Sequence, residues 1–351
     1  MTNVATTEVD AVVDQVRRLA AVGCELVRVA VPDAESVEAL GRILHESPLP
    51  VIADIHFDYR LAIAAVEAGV AAIRINPGNL GGDDRLAAVA AALRTSGTPV
   101  RVGVNGGSLE KRLLTAHGGP TPDALAASAR EQCAKLEAMG VTRIKVSIKS
   151  SDVLTTVQAC RLFAAGTDYP LHLGVTEAGT PLRGVVKSAV GIGALLIDGI
   201  GDTIRVSLTA DPVEEVKAAL RILEAVGLRN PAPEVVSCPT CGRTRIDLEG
   251  LVHEVEAEID RLKAAGFQLP VRKVAIMGCV VNGPGEARDA DLGVAGGDGF
   301  GVLFRAGRVV ERVPEEELGP RLVHELQRLA VRPDDHDPCP ADGNAGARRG
   351  D

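Results

Sequence analysis

Two short segments in the last third of the chain carry side chains suited to a redox metal. They are Cys238-Pro239-Thr240-Cys241 and Met277-Gly278-Cys279-Val280-Val281-Asn282-Gly283-Pro284-Gly285-Glu286. The first is a C-x-x-C pair, whose two thiolates can hold one metal centre. The second adds a further cysteine among glycine and proline, which let the backbone approach a ligand closely. Three cysteines fall one short of a four-ligand centre, so the last position goes to a non-cysteine group, a substrate or water. Soft thiolates favour Fe–S or zinc, and an open position suits a metal that reacts. Structural zinc is the competing reading, since His253 follows Cys241. No second histidine follows at finger spacing, however, and Cys279 has no partner two residues on. No thioredoxin-like order of elements precedes the pair, which argues against a thiol redox motif. Cys24, Cys133 and Cys160 lie in apolar or helical stretches and read as small buried hydrophobes, while Cys339 lies in a polar tail.

A second group of reactive side chains comes from β-rich runs earlier in the chain. By the period of two, Arg28 and Ala30 share one strand face, as do Asp54 and His56, and Arg74 and Asn76. The same holds for Arg101, Gly103 and Asn105; for Lys145, Ser147 and Lys149; and for Arg205, Ser207 and Thr209. The opposite face is Val, Ile or Leu almost throughout. One inward arginine could be satisfied by Asp54 or a carbonyl. Six bases on one face of an acidic protein imply a counter-anion, and phosphate or diphosphate fits. Glu177, in Gly174-Val175-Thr176-Glu177-Ala178-Gly179, closes a run on the same side. Its carboxylate is either a general acid or base beside the bound anion or an ion-pair partner for one arginine.

The elements that must position these groups are legible as an alternation. The β-rich runs are Glu25–Pro32, Val51–His56, Ala72–Asn79, Val100–Asn105, Arg143–Ser150, Leu171–Gly179 and Thr203–Ala210. Amphipathic stretches lie between them, among them Asp33–Glu46, Asp123–Met139 and Asp211–Val226, each opened by an aspartate suited to N-capping. Such alternation predicts an α/β fold, a (β/α)₈ TIM-type barrel whose polar strand ends meet at the C-terminal mouth. The count is seven strands against eight helices, so the expected first strand is missing and would precede Met1. The barrel is expected over 1–226, a linker over 227–236, a smaller α+β domain over 237–331 and a disordered tail over 332–351.

Composition narrows the function. The chain has 351 residues, a net charge of −9 and 2% aromatic residues without tryptophan. That balance argues against nucleic-acid and membrane-surface binding. There is no apolar run of membrane-spanning length, no signal peptide and no disulfide framework, so a cytoplasmic enzyme is expected.

Across Met1 to about Leu329 the chain resembles the bacterial 4-hydroxy-3-methylbut-2-en-1-yl diphosphate synthase family of the non-mevalonate isoprenoid pathway. The resemblance rests on Val51-Ile52-Ala53-Asp54-Ile55-His56-Phe57-Asp58-Tyr59-Arg60, Arg74-Ile75-Asn76-Pro77-Gly78-Asn79 and Arg101-Val102-Gly103-Val104-Asn105. It rests equally on Leu173–Gly179, Ser237-Cys238-Pro239-Thr240-Cys241-Gly242-Arg243-Thr244 and Gly278–Glu286. It implies a two-electron reductive ring opening of 2-C-methyl-D-erythritol 2,4-cyclodiphosphate with loss of water. It further implies a [4Fe–4S] cluster on Cys238, Cys241, Cys279 and Glu286, which would fill the missing fourth position. The diphosphate clamp it implies comprises Arg28, Arg74, Arg101, Arg205, Lys149 and Ser207. Asp54, Asn105 and Asn282 would lie nearer the reacting carbons, and Glu177 would donate the proton to the departing oxygen. The family pattern also implies a homodimer, with the cluster domain of one chain over the barrel mouth of the other, and electrons from flavodoxin or ferredoxin. A reading from another class is a non-catalytic iron–sulfur or zinc-binding regulator on a barrel scaffold, since fold alone does not dictate function.

Overall fold

The computed structural model describes residues 1–229, 233–279 and 289–332. The chain divides into two compact units, Met1–Arg229 and Asn230–Asp351.

In the first unit strands and helices alternate. The strands are β1 (Val27–Ala30), β2 (Val51–Asp54), β3 (Ala72–Ile75), β4 (Val100–Asn105), β5 (Ile144–Lys149), β6 (His172–Leu173) and β7 (Thr203–Ile204). The helices are α1 (Val9–Ala21), α2 (Ala34–Glu46), α3 (Tyr59–Glu67), α4 (Asp83–Ser96), α5 (Lys111–His117), α6 (Pro122–Ala138), α7 (Val153–Ala164), α8 (Pro181–Ile197) and α9 (Pro212–Ala225). Strands β1 to β5 pair in parallel in sequence order. A parallel bridge from Val146 to Leu171 carries the sheet on to β6, which pairs with β7. Each of the seven expected runs contains one of these strands. On the edge of β1 away from β2, the Thr2 amide donates to the Arg28 carbonyl at 3.0 Å.

The apolar strand faces pack under the helices. Val27, Val29, Ala53, Ile73, Ile75, Val102, Val146 and Ile148 are buried with Leu40, Leu93 and Leu136 from α2, α4 and α6 in one core. This burial leaves the polar faces no place but the lumen. Two expected aspartate caps form: Asp33 accepts from the Ser36 amide at 2.8 Å and Asp211 from the Val213 amide at 2.9 Å. The third expectation is corrected. Thr121 caps α6, accepting from the Ala124 amide, because Pro122 takes the first helical position and leaves Asp123 inside the first turn. Strands β6 and β7 are also shorter than the runs read from sequence. Beyond Leu173 the chain leaves the ladder for a loop in which Glu177 adopts φ +53°.

The second unit is a mixed sheet in the order β12-β11-β10-β9-β8. Its strands are β8 (Glu234–Ser237), β9 (Lys273–Met277), β10 (Leu292–Gly296), β11 (Phe300–Arg305) and β12 (Arg308–Pro314). Strands β8, β9 and β10 run parallel, and β10, β11 and β12 antiparallel. Helices α10 (Leu248–Ala264) and α11 (Leu318–Leu329) share a core with this sheet through Leu251, Val255, Ile259, Leu322 and Leu326. Strand β8 starts at Glu234, inside the stretch read from sequence as linker. Only its pairing with β9, from Glu234–Lys273 to Ser237–Ile276, marks it as sheet. No helix among the described residues is long and apolar enough to cross a membrane.

Candidate active site

The barrel lumen is organised around Asp54, at the end of β2 and 4% exposed. Its carboxylate accepts from Nη1 of Arg74 at 3.3 Å, lies 3.6 Å from Nε of Arg28 and 3.4 Å from Nε2 of His56. Burial opposes ionisation of Asp54, but Arg28, Arg74 and His56 outweigh it and hold the carboxyl below its ordinary range. Arg74 also lies 3.2 Å from Nε2 of His56. It reaches this place across Gly103, where a Cβ would stand 2.6 Å from its Nε.

Arg101 and Lys149 differ from these residues. Both are buried, at 6% and 8% exposure, and neither has a hydrogen-bonding or ionic partner among the described residues. Burial, reinforced by Arg28 and Arg74, lowers Arg101 to about 9. Burial likewise lowers Lys149 well below its usual value, with Arg101 and Arg28 adding to the effect. The ammonium of Lys149 occupies space made by Gly174, where a Cβ would sit 2.8 Å from Nζ and 2.6 Å from the Arg205 carbonyl oxygen. Asn105 and Lys149 are register partners at the ends of β4 and β5.

Arg205, just past β7, is held from α9. Its Nε and Nη2 donate to the Glu215 carboxylate at 3.3 to 3.4 Å. Ser207 is half-buried two residues on. Arg28, Arg101, Lys145, His172, Arg205 and Glu215 contribute to the wall of one cavity of about 450 Å³. That cavity runs toward the strand starts, at Leu26, Pro99 and Asp202. Asp54, Asn105, Lys149 and Glu177, at the opposite strand ends, are not in its wall. It therefore reaches Arg28, Arg101 and Arg205 from the side of the strand starts.

Glu177 lies exposed in the loop after β6 and makes no ion pair among the described residues. A left-handed backbone is uncommon for a non-glycine residue, and such conformations cluster at functional loops.

The expectation that one or two lumen bases at most are satisfied from within is corrected in part, since three are. Asp54 serves Arg28 and Arg74, and Glu215 serves Arg205. Among the described residues Arg101, Lys145 and Lys149 have no ion pair; Lys145 is only half-buried, so the buried unanswered charge falls on Arg101 and Lys149. Three residues of this site were missed from sequence as site members. His56 was visible on the Asp54 face. His172 is buried on β6, with Nδ1 2.9 Å from the Thr203 hydroxyl and Nε2 without a partner. Burial, with Lys149 and Arg101 nearby, lowers its pKa well below the usual histidine value. Glu215 carried only the signal of an ordinary helix glutamate.

In the second unit, Cys238 and Cys279 follow the ends of the adjacent parallel strands β8 and β9. The Gly278 amide donates to Sγ of Cys238 at 3.2 Å, which ties the two loops together. Cys241 is joined to them through its turn: its amide donates to the Thr244 hydroxyl at 3.1 Å, and the Arg245 amide donates to the Gly278 carbonyl at 2.9 Å. Hydrogen bonds from the backbone and side chain of Arg243 lower the Cys241 thiol pKa. Amide donation to sulfur and an easily ionised thiol suit an iron–sulfur ligand set. Among the described residues no three His, Cys, Asp or Glu side chains are close enough to hold a metal ion. Asn282 and Glu286 lie outside the described residues. His253, the residue that raised zinc, lies exposed on α10.

A parallel TIM-type barrel with a cation-lined lumen, followed by a small mixed-sheet unit bearing cysteines at its strand ends, defines the class of protein. Residues 1–220 match the GcpE TIM-barrel domain, and residues 234–328 match the GcpE protein C-terminal domain. The chain belongs to the GcpE family. It is 53% identical over 332 residues to the 4-hydroxy-3-methylbut-2-en-1-yl diphosphate synthase (flavodoxin) of Desulfotalea psychrophila, covering 94% of this chain and 90% of that one. It is 52% identical to the protein of the same name from Geobacter sulfurreducens, covering 94% and 92%. The Salinispora arenicola protein of that name is 53% identical, covering 94% and 83%.

Proposed function

We infer that the chain catalyses the reaction for which these relatives are named. It converts 2-C-methyl-D-erythritol 2,4-cyclodiphosphate to 4-hydroxy-3-methylbut-2-enyl diphosphate in isoprenoid biosynthesis. One ring carbon–oxygen bond breaks while the diphosphate stays on the other carbon, a hydroxyl leaves as water, and two electrons with two protons balance the change. The observation that carries this reading is the pair Arg101 and Lys149, both buried and neither with a hydrogen-bonding or ionic partner among the described residues, beside three arginines that are already ion-paired. A neutral ligand would leave both charges uncompensated, whereas a diphosphate answers them.

On this reading Arg28, Arg74, Arg101 and Arg205, with Lys149 and Ser207, grip the diphosphate. Asp54, Asn105 and Asn282 face the carbon skeleton and orient it. Glu177 gives its proton to the departing hydroxyl, which is a poor leaving group unaided. Cys238, Cys241, Cys279 and Glu286 hold a [4Fe–4S] cluster, whose chemistry when bound is electron delivery to the ring. The sulfur-directed amide of Gly278 and the lowered Cys241 thiol support that ligand set. Flavodoxin, as in the relatives' names, or ferredoxin supplies the electrons, and the protein acts as a cytoplasmic homodimer. The work divides between a barrel over 1–226 and a cluster domain that opens on β8 at Glu234 and runs to about 331. No observation favours the regulator reading, which gives the lumen cations no task.

Anaerobic purification tests this directly. About four irons with matching acid-labile sulfide per chain are expected. So is turnover of the cyclodiphosphate with reduced flavodoxin. Stoichiometric zinc without sulfide, or an iron protein that neither binds nor converts the cyclodiphosphate, would overturn it.

A further inference from the structure

Glu214 and Glu215 are adjacent in the first turn of α9, yet their surroundings differ sharply. Glu214 is exposed and pairs with Lys217 at 3.0 Å, an ordinary surface contact. Glu215 is 7% exposed, and its carboxylate collects donors from two places. The Leu208 amide donates to Oε1 at 3.0 Å, and the Arg205 guanidinium spans both oxygens at 3.3 to 3.4 Å. A buried carboxylate is costly unless it is paired, so this one has a defined task.

Arg205 shows what the task is. It shares a cavity wall with Arg28 and Arg101, both cationic. Left to itself it would swing away from them by like-charge repulsion. Asp54 does not prevent this, because it is engaged by Arg28, Arg74 and His56. We propose that Glu215 is a positioning residue for the diphosphate clamp, holding Arg205 against its cationic neighbours so that the guanidinium is in place when the anion arrives. The Leu208 bond ties the carboxylate to the segment that follows β7, the same segment that carries Arg205. A fork-shaped donor held on a fixed carboxylate loses little freedom on binding, which is how preorganisation raises affinity. The proposal rests on the function proposed above and adds a residue that does not touch the substrate.

The test uses the cluster-loaded enzyme and Glu215→Gln, which keeps the acceptor for Leu208 but removes the charge. Calorimetric affinity for the cyclodiphosphate should fall about 10- to 100-fold, the scale of a misplaced binding group. KM should rise with it, while kcat falls by much less and iron content and melting temperature stay near wild type. On an Arg205→Ala background the same substitution should cost no further affinity, because the effect runs through Arg205. A purely structural Glu215 would instead lower the melting temperature and add its effect to Arg205→Ala. Unchanged or tighter binding in Glu215→Gln would overturn the proposal, making the carboxylate a mere counter-charge. If Arg205→Ala itself leaves affinity intact, the clamp reading fails and the proposal with it. If only Glu215→Gln is silent, the clamp stands and the positioning role alone is lost.

Discussion

Asp54 accepts from the guanidinium of Arg74 at 3.3 Å with both side chains almost wholly inside the barrel. The same carboxylate faces Arg28 and His56. One acid therefore holds together Arg28 on β1, Arg74 on β3 and His56 just past β2, and it sets the resting geometry of the lumen before any ligand enters.

Replacing that acid tests its structural weight. Asp54→Asn leaves Arg28 and Arg74 buried without their counter-charge, a change that typically costs about 3–5 kcal/mol. Chemical denaturation should show a midpoint shift of that size, and inorganic pyrophosphate should recover part of it. An Asn variant as stable as wild type would mean the ion pairs contribute nothing to the fold.

Binding should take up protons. Burial lowers Arg101 to about 9 and Arg28 to about 10. A cation whose folded pKa is depressed costs stability in full below that pKa, and the cost shrinks as pH rises from the folded pKa toward the ordinary arginine value. A bound diphosphate reverses the depression, so the complex holds protons that the free barrel releases above about pH 9. Affinity should fall as pH rises past that point, and calorimetry in buffers of different ionisation heat should register the uptake. Affinity that is flat from neutral pH to above 9, with no proton uptake, would show the clamp fully charged in the free protein.

Gly174 is needed for close approach. An added Cβ would sit 2.6 Å from the Arg205 carbonyl, which is backbone and yields only by moving the strand. Gly174→Ala should destabilise the barrel by about 1–3 kcal/mol through overpacking. It should also weaken pyrophosphate binding, because Nζ of Lys149 lies in the same space. Loss of stability with undiminished binding would separate the two effects and remove Lys149 from the clamp.

The cysteine loops predict graded cluster loss. Cys279→Ala should lose nearly all iron and sulfide. Glu286→Ala should retain about three irons, since one iron loses its ligand while the thiolates remain. Electron paramagnetic resonance and iron analysis distinguish the two. Full iron content in Cys279→Ala would require another ligand set.

Glu177→Gln separates chemistry from binding. The amide keeps the shape but has no acidic proton, so turnover should fall by about 10²–10⁴-fold with near-normal substrate affinity and iron content. Normal turnover would remove the carboxylate from the reaction.

Much of this architecture was open to reading along the chain because it follows from local periods. Alternating β-rich and amphipathic runs placed all seven strands, and the period of two put Arg28, Asp54, Arg74, Arg101 and Lys149 on one face. Cys238, Cys241 and Cys279 announced themselves by type and spacing. What the tertiary structure decided was pairing, which no local pattern encodes. Asp54 meets Arg74 only because β2 and β3 are neighbours, with Asp54 and Arg74 in register. Glu215 meets Arg205 only because α9 folds back against the segment that follows β7, so a glutamate indistinguishable from its neighbour in the sequence becomes the buried one. Strand β8 was read as linker because four residues become a strand only when an edge, here β9, supplies their hydrogen-bond partners. The buried charge left unpaired among the described residues, on Arg101 and Lys149, could likewise be identified only after the internal ion pairs had formed. Residue types and periods are properties of the chain, while the residual field inside the barrel is a difference between charges brought together from distant segments.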